Sequence, residues 1–277
     1  MTNVPLLVVD IGNSRTKFGL FRDWQTNDAG TLPNCEQLFV VAADEEQFPW
    51  SELQAAIGEA APVSLIAAVN PPVLERLLDS WPKSTWPEPR FLANNVGLPI
   101  VNQTLYPDRV GTDRLLKAVA GNVLRPVGQP LILIDSGTAT TVDWVTSDGA
   151  FAGGAILPGL ALAARALHEH TAQLPLIEPD SFQQQTPPPV IGTETRGALQ
   201  SGLYWGQIGA VRELIRQMTD AHPGETPTVL VTGGAGELVA RELGLIAHYH
   251  RDLTLQGLAV SARGLLQASV RRKPDGC

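Results

Sequence analysis

Cysteine is nearly absent from this 277-residue chain: Cys35 and Cys277 stand far apart and no CxxC spacing occurs. A disulfide framework and a thiolate zinc site are thereby excluded, and a reducing cytoplasm is the expected location. Positive charge is scarce as well. Twenty Lys and Arg against 28 Asp and Glu leave a formal net charge of -8. That balance lacks the basic footprint a phosphate-backbone binder needs, so nucleic acid is not an expected partner. None of the lysines, Lys17, Lys83, Lys117 and Lys273, stands in the G-K-[ST] context of a Walker phosphate loop. The dinucleotide fingerprint G-x-G-x-x-G is missing too. Long apolar runs are missing: Asp10 interrupts the first and Arg165 the stretch from Leu157 to Leu167, and no basic n-region precedes them. Neither membrane insertion nor secretion is expected.

What is present is a globular composition, 44% hydrophobic and 17% charged, which excludes disorder. Single cores stop growing at roughly 250 to 300 residues, so two domains are expected. Their boundary is suggested by an internal repeat: LLVVDIGNSRTKFGL (6–20) overlays LILIDSGTATTVDWV (131–145) without a gap, matching Asp, Gly and a later Thr. Each copy reads as a buried strand, a tight turn and a second strand, a hairpin opening its own domain. The expected domains are 1–126 and 127–277. Between and after the hairpins the chain reads as a strand at 64–69, a helix behind Pro71 and Pro72, a Pro-rich loop at 81–90 and a helix over 114–124. Helices over 160–174 and 197–218 follow, with SFQQQTPPPV (181–190) as an exposed connection and strand, Gly turn and helix over 228–244. Strand pairs alternating with helices predict an α/β architecture with mixed sheets and a cleft between two tandem domains.

Small residues in a hairpin turn leave backbone N–H groups directed at phosphate oxygens, and Asn13, Ser14, Thr138 and Thr141 add side-chain donors. Two such turns suit one polyphosphate. Carboxylates at matching strand ends, Asp10 and Asp135, are repelled by phosphate unless a hard cation lies between. Lys17 adds a point charge. Spacing leaves Asp113 open as a helix cap or a proton acceptor, and Arg114 as an anion contact or a structural ion pair. Gly153, Gly154 and Gly159 around Pro158 suit either a cleft wall or a simple turn. His168 with His170, and His248 with His250, lack any zinc-site partner pattern. Trp50, Trp81, Trp86 and Trp205 read as packing or loop anchors.

At these residues the sequence resembles a known superfamily, that of acetate and sugar kinases, heat-shock protein 70 and actin, with TGGAG (232–236) similar to its adenosine motif. VGTDR (110–114), DSGTATTVD (135–143), GGAILPGL (153–160), IGTETRGALQSG (191–202) and LTLQGL (253–258) narrow the resemblance to the type III pantothenate kinase family. The motifs run in unbroken order from residue 6 to about residue 260; segments 22–60, 81–90 and the basic tail at 271–273 match none.

The resemblance implies two RNase H-like domains of the actin-like ATPase fold and phosphorylation of pantothenate by ATP with Mg²⁺, the first step of coenzyme A biosynthesis. It implies that the turn from Asp10 through Ile11, Gly12, Asn13, Ser14, Arg15 and Thr16 to Lys17 holds ATP phosphates, together with Thr138. Tyr106, Gly111, Thr112, Asp113 and Arg114 are implied to bind pantothenate, with Asp113 the proton acceptor. Family members often carry Ala at the position of Thr112. Asp135 is implied to bind a monovalent cation, K⁺ or NH₄⁺, and Thr195 to reach pantothenate from the neighbouring subunit of a homodimer. A sugar kinase of the same superfamily usually lacks Tyr106 with G-x-D-R. A non-enzymatic Bvg accessory factor-like regulator is marked by loss of Asp113, Asp10 or Thr138, and all three are present.

Overall fold

Both expected hairpins form, and each becomes the centre of a five-stranded mixed sheet. The structure, a computed structural model, describes residues 4–25, 30–92, 97–182 and 186–270. Part of the 181–190 connection, the basic tail at 271–273 and Cys277 lie outside them. In the first sheet β1 (Leu6–Ile11) pairs antiparallel with β2 (Arg15–Phe21), and β2 with β3 (Gln37–Ala42). On its other edge β1 pairs parallel with β4 (Val63–Ala68), which pairs with the two-residue β5 (Arg90–Phe91). The order is β3-β2-β1-β4-β5.

The second sheet has the same plan. There β6 (Leu131–Ser136) pairs antiparallel with β7 (Ala139–Val145), which pairs with β8 (Phe151–Pro158). In parallel, β6 pairs with β9 (Thr228–Thr232) and β9 with β10 (Ala247–Tyr249), giving β10-β9-β6-β7-β8. The repeat therefore extends from the hairpin to the whole sheet. It is not in register throughout, however. In the first hairpin Asp10 stands opposite Lys17, whereas in the second Asp135 stands opposite Thr141. The second turn is one residue tighter, so the Thr16–Thr141 match of the ungapped overlay is offset by one.

The first compact unit joins residues up to Leu124 with those from Asp252 onward; the second spans Arg125–Arg251. The first break lies beside the expected 126/127 boundary, but the C-terminal segment belongs with the first unit instead of the second. The reason is an apolar helix that packs far from its sequence neighbours. Helix α7 (Leu253–Val270) buries Leu255, Leu258, Ala259 and Ala262 against Leu6 and Val8 of β1 and Leu116 of α3 (Thr112–Leu124). Gly257 permits the approach, because a Cβ there would overlap the Leu116 carbonyl. On the opposite face of the same sheet, α1 (Trp50–Ile57) and α2 (Pro71–Asp79) contribute Leu53, Ile57, Val73 and Leu77 to a core with Val9, Phe18 and Ile66. Trp50, Trp81 and Trp86 meet edge to face there at 5.3–6.1 Å between ring centroids. The Pro-rich loop is thus anchored by its own aromatics.

In the second unit, α4 (Leu160–Glu169), α5 (Thr195–Asp220) and α6 (Gly236–Leu243) cover one sheet face through Leu160, Ala164, Tyr204, Ile208, Val211 and Val239. Helix α4 stops short of the expected residue 174. Residues 153 and 154 form part of strand β8, which resolves one of the glycine alternatives. Gly154 lies against Asp143 of β7, where a side chain would overlap both the Val142 carbonyl and the Asp143 carboxylate.

Candidate active site

The alternation of β1 and β2 decides which side chains of the first turn are available. Leu6 and Val8 face α3 and α7, so Asp10 faces that side as well, with Lys17 directly opposite it. Ile11 and Thr16 point to the other face, fully buried. The Thr16 hydroxyl has no hydrogen-bond partner there. Gly12 N–H donates to the Arg15 carbonyl at 3.0 Å, leaving Asn13 and Ser14 exposed at the tip. The Ser14 carbonyl accepts from Ala43 N–H at 3.0 Å, and Ala43 is held in turn by Arg76 Nη2 on α2 at 2.5 Å. The tip is therefore braced from outside its own hairpin.

On that same side of the sheet, α3 begins at Thr112. The segment before it is fixed locally. Asn102 Nδ2 donates to the Pro107 carbonyl, and Asn102 Oδ1 accepts from both Thr104 N–H and Thr104 Oγ1. A short 3₁₀ turn at Pro107–Arg109 follows. Tyr106 is 60% exposed, with the Arg109 guanidinium 5.0 Å above its ring. The Gly111 carbonyl accepts from Arg114 N–H at 3.0 Å, opening the helix. Asp113 stands inside the first turn, not at the capping position, where the helix dipole favours a carboxylate. Its Oδ2 accepts from Lys117 Nζ at 2.8 Å; the Asp113 side chain is 35% exposed and that of Lys117 2%. Burial pushes the Asp113 carboxyl up. The charge and hydrogen bond of Lys117, with the Arg114 backbone N–H and guanidinium, outweigh it and hold the group below the ordinary aspartate range. The sequence motifs assign Lys117 no role beside Asp113; the i, i+4 spacing of an Asp and a Lys is the signal that could have singled it out.

In the second unit three turns converge. Gly137 N–H donates to the Ala139 carbonyl, closing the β6–β7 turn around Thr138. The Thr138 carbonyl accepts from Gly159 N–H at 3.1 Å, where Gly159 is the residue before α4. The Ser136 carbonyl accepts from Ala235 N–H at 2.9 Å, in the turn between β9 and α6. Gly233, at φ 95°, lies so near the Asp135 carboxylate that a Cβ would overlap it. TGGAG thus meets the carboxylate of Asp135 through backbone alone. Thr141, opposite Asp135 and on the same face, is 8% exposed, and its hydroxyl has no hydrogen-bond partner. Carboxylate plus hydroxyl is a hard-oxygen donor set that fits K⁺, NH₄⁺ or Mg²⁺. Among the described residues no group of three or more His, Cys, Asp or Glu is placed to hold a metal.

Thr195 is the first residue of α5, well away in sequence from these turns. Glu194 caps that helix, its Oε2 accepting from Arg196 N–H at 2.7 Å and its Oε1 from Gly197 N–H. The structure therefore groups Asp10 and Lys17 on the α3 face of one sheet, and Asp135, Thr138, Gly159 and Gly233 at one end of the other. No helix of the described residues is long and apolar enough to cross a membrane.

Comparison with known proteins shows the family of this chain. The sequence profile of a family described as type III pantothenate kinase matches residues 6–217. The chain is 34% identical over 262 residues to a type III pantothenate kinase of Caulobacter vibrioides, covering 91% of this chain and 95% of the relative. It is 33% identical over 269 residues to one from Desulfosudis oleivorans, covering 92% and 97%. Among solved structures, a conserved Campylobacter jejuni protein described as a Baf-family transcriptional activator superposes with a TM-score of 0.59. Its identity is 20%, over 94% of this chain and 99% of that one. The activator of a 2-hydroxyisocaproyl-CoA dehydratase from Clostridium difficile, solved with ADPNP, gives 0.54 at 10% identity over 99% and 100%. These two show a shared fold.

Proposed function

Because the chain belongs to the type III pantothenate kinase family, an ATP-dependent phosphotransferase acting on pantothenate in coenzyme A biosynthesis, we propose a division of labour among its residues in which Asp113 accepts the proton. The primary hydroxyl of pantothenate is a poor nucleophile until its proton has an acceptor. As its oxygen bonds to the γ-phosphorus, the bond to the ADP leaving oxygen breaks and the hydroxyl proton passes to the Asp113 carboxylate. The products are 4′-phosphopantothenate and ADP. The observation that carries this reading is the carboxylate itself: partly exposed, at a helix N-terminus, and paired with the Lys117 ammonium at 2.8 Å.

Tyr106 packs on pantothenate, Gly111 and Thr112 contact it through the backbone, and Arg114 meets its carboxylate. The turn from Asp10 to Lys17 receives ATP phosphates through the amides and side chains of Gly12, Asn13 and Ser14, with Arg15 and Lys17 as cations. Ile11 and Thr16, buried on the far face, serve by shaping the strands. Thr138 holds ATP from the second hairpin. Mg²⁺ beside Asp10 and a monovalent cation beside Asp135 and Thr141 offset phosphate charge when bound. Thr195 completes the pantothenate site of an adjacent subunit, so the working form is a homodimer. The cytoplasm is its place of action. Phosphorylation of purified pantothenate with ATP, magnesium and potassium, set beside a panel of sugars, tests the assignment: preference for a sugar would overturn it.

A further inference from the structure

Helix α3 carries a charge where its neighbours are buried: residues 115–121 are all buried, and Lys117 among them is 2% exposed. Withdrawing an ammonium from water costs several kcal/mol, so a buried ion pair is weak evidence for a stabilising role. Leu or Met at this position would serve the helix equally well. The cation reaches Oδ2 of Asp113, 2.8 Å away and one turn nearer the helix start. An exposed i, i+4 pair contributes little, but here the cation is held out of water.

We propose that Lys117 is a positioning residue for phosphoryl transfer, its buried ammonium orienting the Asp113 carboxylate through Oδ2. The inference rests on the reading of Asp113 as proton acceptor. The neighbouring charge on α3 itself is Arg114. Of the elements packed along α3, β4 carries no charged residue, β1 and its partner β2 place Asp10 and Lys17 on the sheet face toward α3, and the charged residue of α7, Arg263, donates through Nε to the Trp24 carbonyl. Lys117 is thus the buried cation that acts on the carboxylate. By fixing one oxygen it restricts the orientations of the other, and misplacement of a reacting group by 1 Å costs on the order of 10² in rate.

The experiment compares wild type with Lys117→Met, Lys117→Arg and Asp113→Asn, reading kcat, the KM for ATP, melting temperature and the pH profile of kcat/KM for pantothenate. Lys117→Met is expected to lower kcat by about 10²-fold, to leave the KM for ATP near wild type, and to move the acid limb to higher pH. Lys117→Arg is expected to return that limb toward wild type. An unmoved limb in Lys117→Met, whatever its melting temperature, overturns the proposal for Lys117 alone. Near-normal kcat in Asp113→Asn overturns it through the reading it rests on. Should Lys117→Met not fold, titration of wild type by NMR decides. The Asp113 carboxyl carbon and the Lys117 Nζ resonance should share an inflection, and unrelated inflections overturn the proposal.

Discussion

Gly159 N–H donates to the Thr138 carbonyl at 3.1 Å, locking the residue before α4 onto the turn of the second hairpin. The contact is steric as well as polar, since a Cβ on Gly159 would overlap the Gly137 carbonyl and approach the Thr138 carbonyl at 2.7 Å. Both obstacles are main chain, so no rotamer change relieves them. Gly159→Ala should cost about 1–3 kcal/mol of stability and raise the KM for ATP by displacing Thr138. Gly209→Ala in α5, where nothing lies within 4 Å, is the control and should be neutral or slightly stabilising. Thermal melts and ATP kinetics on the two variants check this; equal behaviour would remove the steric argument.

Asp113→Asn keeps size while abolishing proton acceptance. We expect kcat to fall by about 10² to 10⁴ with ATP affinity retained. A pH dependence of stability accompanies it. The folded pKa of Asp113 lies below its ordinary value, so its ionic contribution is fully present above the unfolded pKa and is lost as pH falls through the folded one. The stability difference between wild type and Asp113→Asn should therefore shrink on acidification. Paired denaturant melts from neutral to acid pH measure it, and a difference that grows would contradict the pairing.

Thr141 separates two roles of one hydroxyl. A buried unpartnered hydroxyl costs about 1–3 kcal/mol, so Thr141→Val should raise the melting temperature. If the hydroxyl also faces a monovalent cation beside Asp135, the same variant should need more potassium for half-maximal activity, and Asp135→Ala should lose the response. Wild-type turnover should fall sharply in sodium-only buffer. Equal rates in sodium and potassium would dispose of the cation site.

Helix α5 allows the dimer reading to be tested without disturbing the fold. Its cap is Glu194, not Thr195, so Thr195→Ala should melt normally yet raise the KM for pantothenate. Glu194→Ala should instead lose about 0.5–2 kcal/mol of stability. Mixing Thr195→Ala with inactive Asp113→Asn protein should regenerate some wild-type sites if residues are shared across subunits. A fully active monomer by sedimentation would exclude sharing.

Much of this architecture was legible in one dimension because its signals are local. Runs such as Leu131–Ile134, followed by Asp-x-Gly, are interpretable as buried strand and turn, and Pro71 begins α2 as its fixed φ allows. Strands β3, with its mixed burial, and β8, exposed on one face and rich in small residues, carried weaker signals. By itself the sequence determined the hairpins, the helices of strong apolar period, the motif order and hence the family.

Only tertiary structure decided which register each hairpin takes, because a turn one residue tighter exchanges Lys17 for Thr141 opposite the aspartate. It also decided that α7 returns to the first unit and that Lys117 is buried beside Asp113. An amphipathic period reveals that a face will be covered but not by what. A lysine's depth likewise depends on the helix packed beside it, here brought close by the absence of a side chain at Gly257.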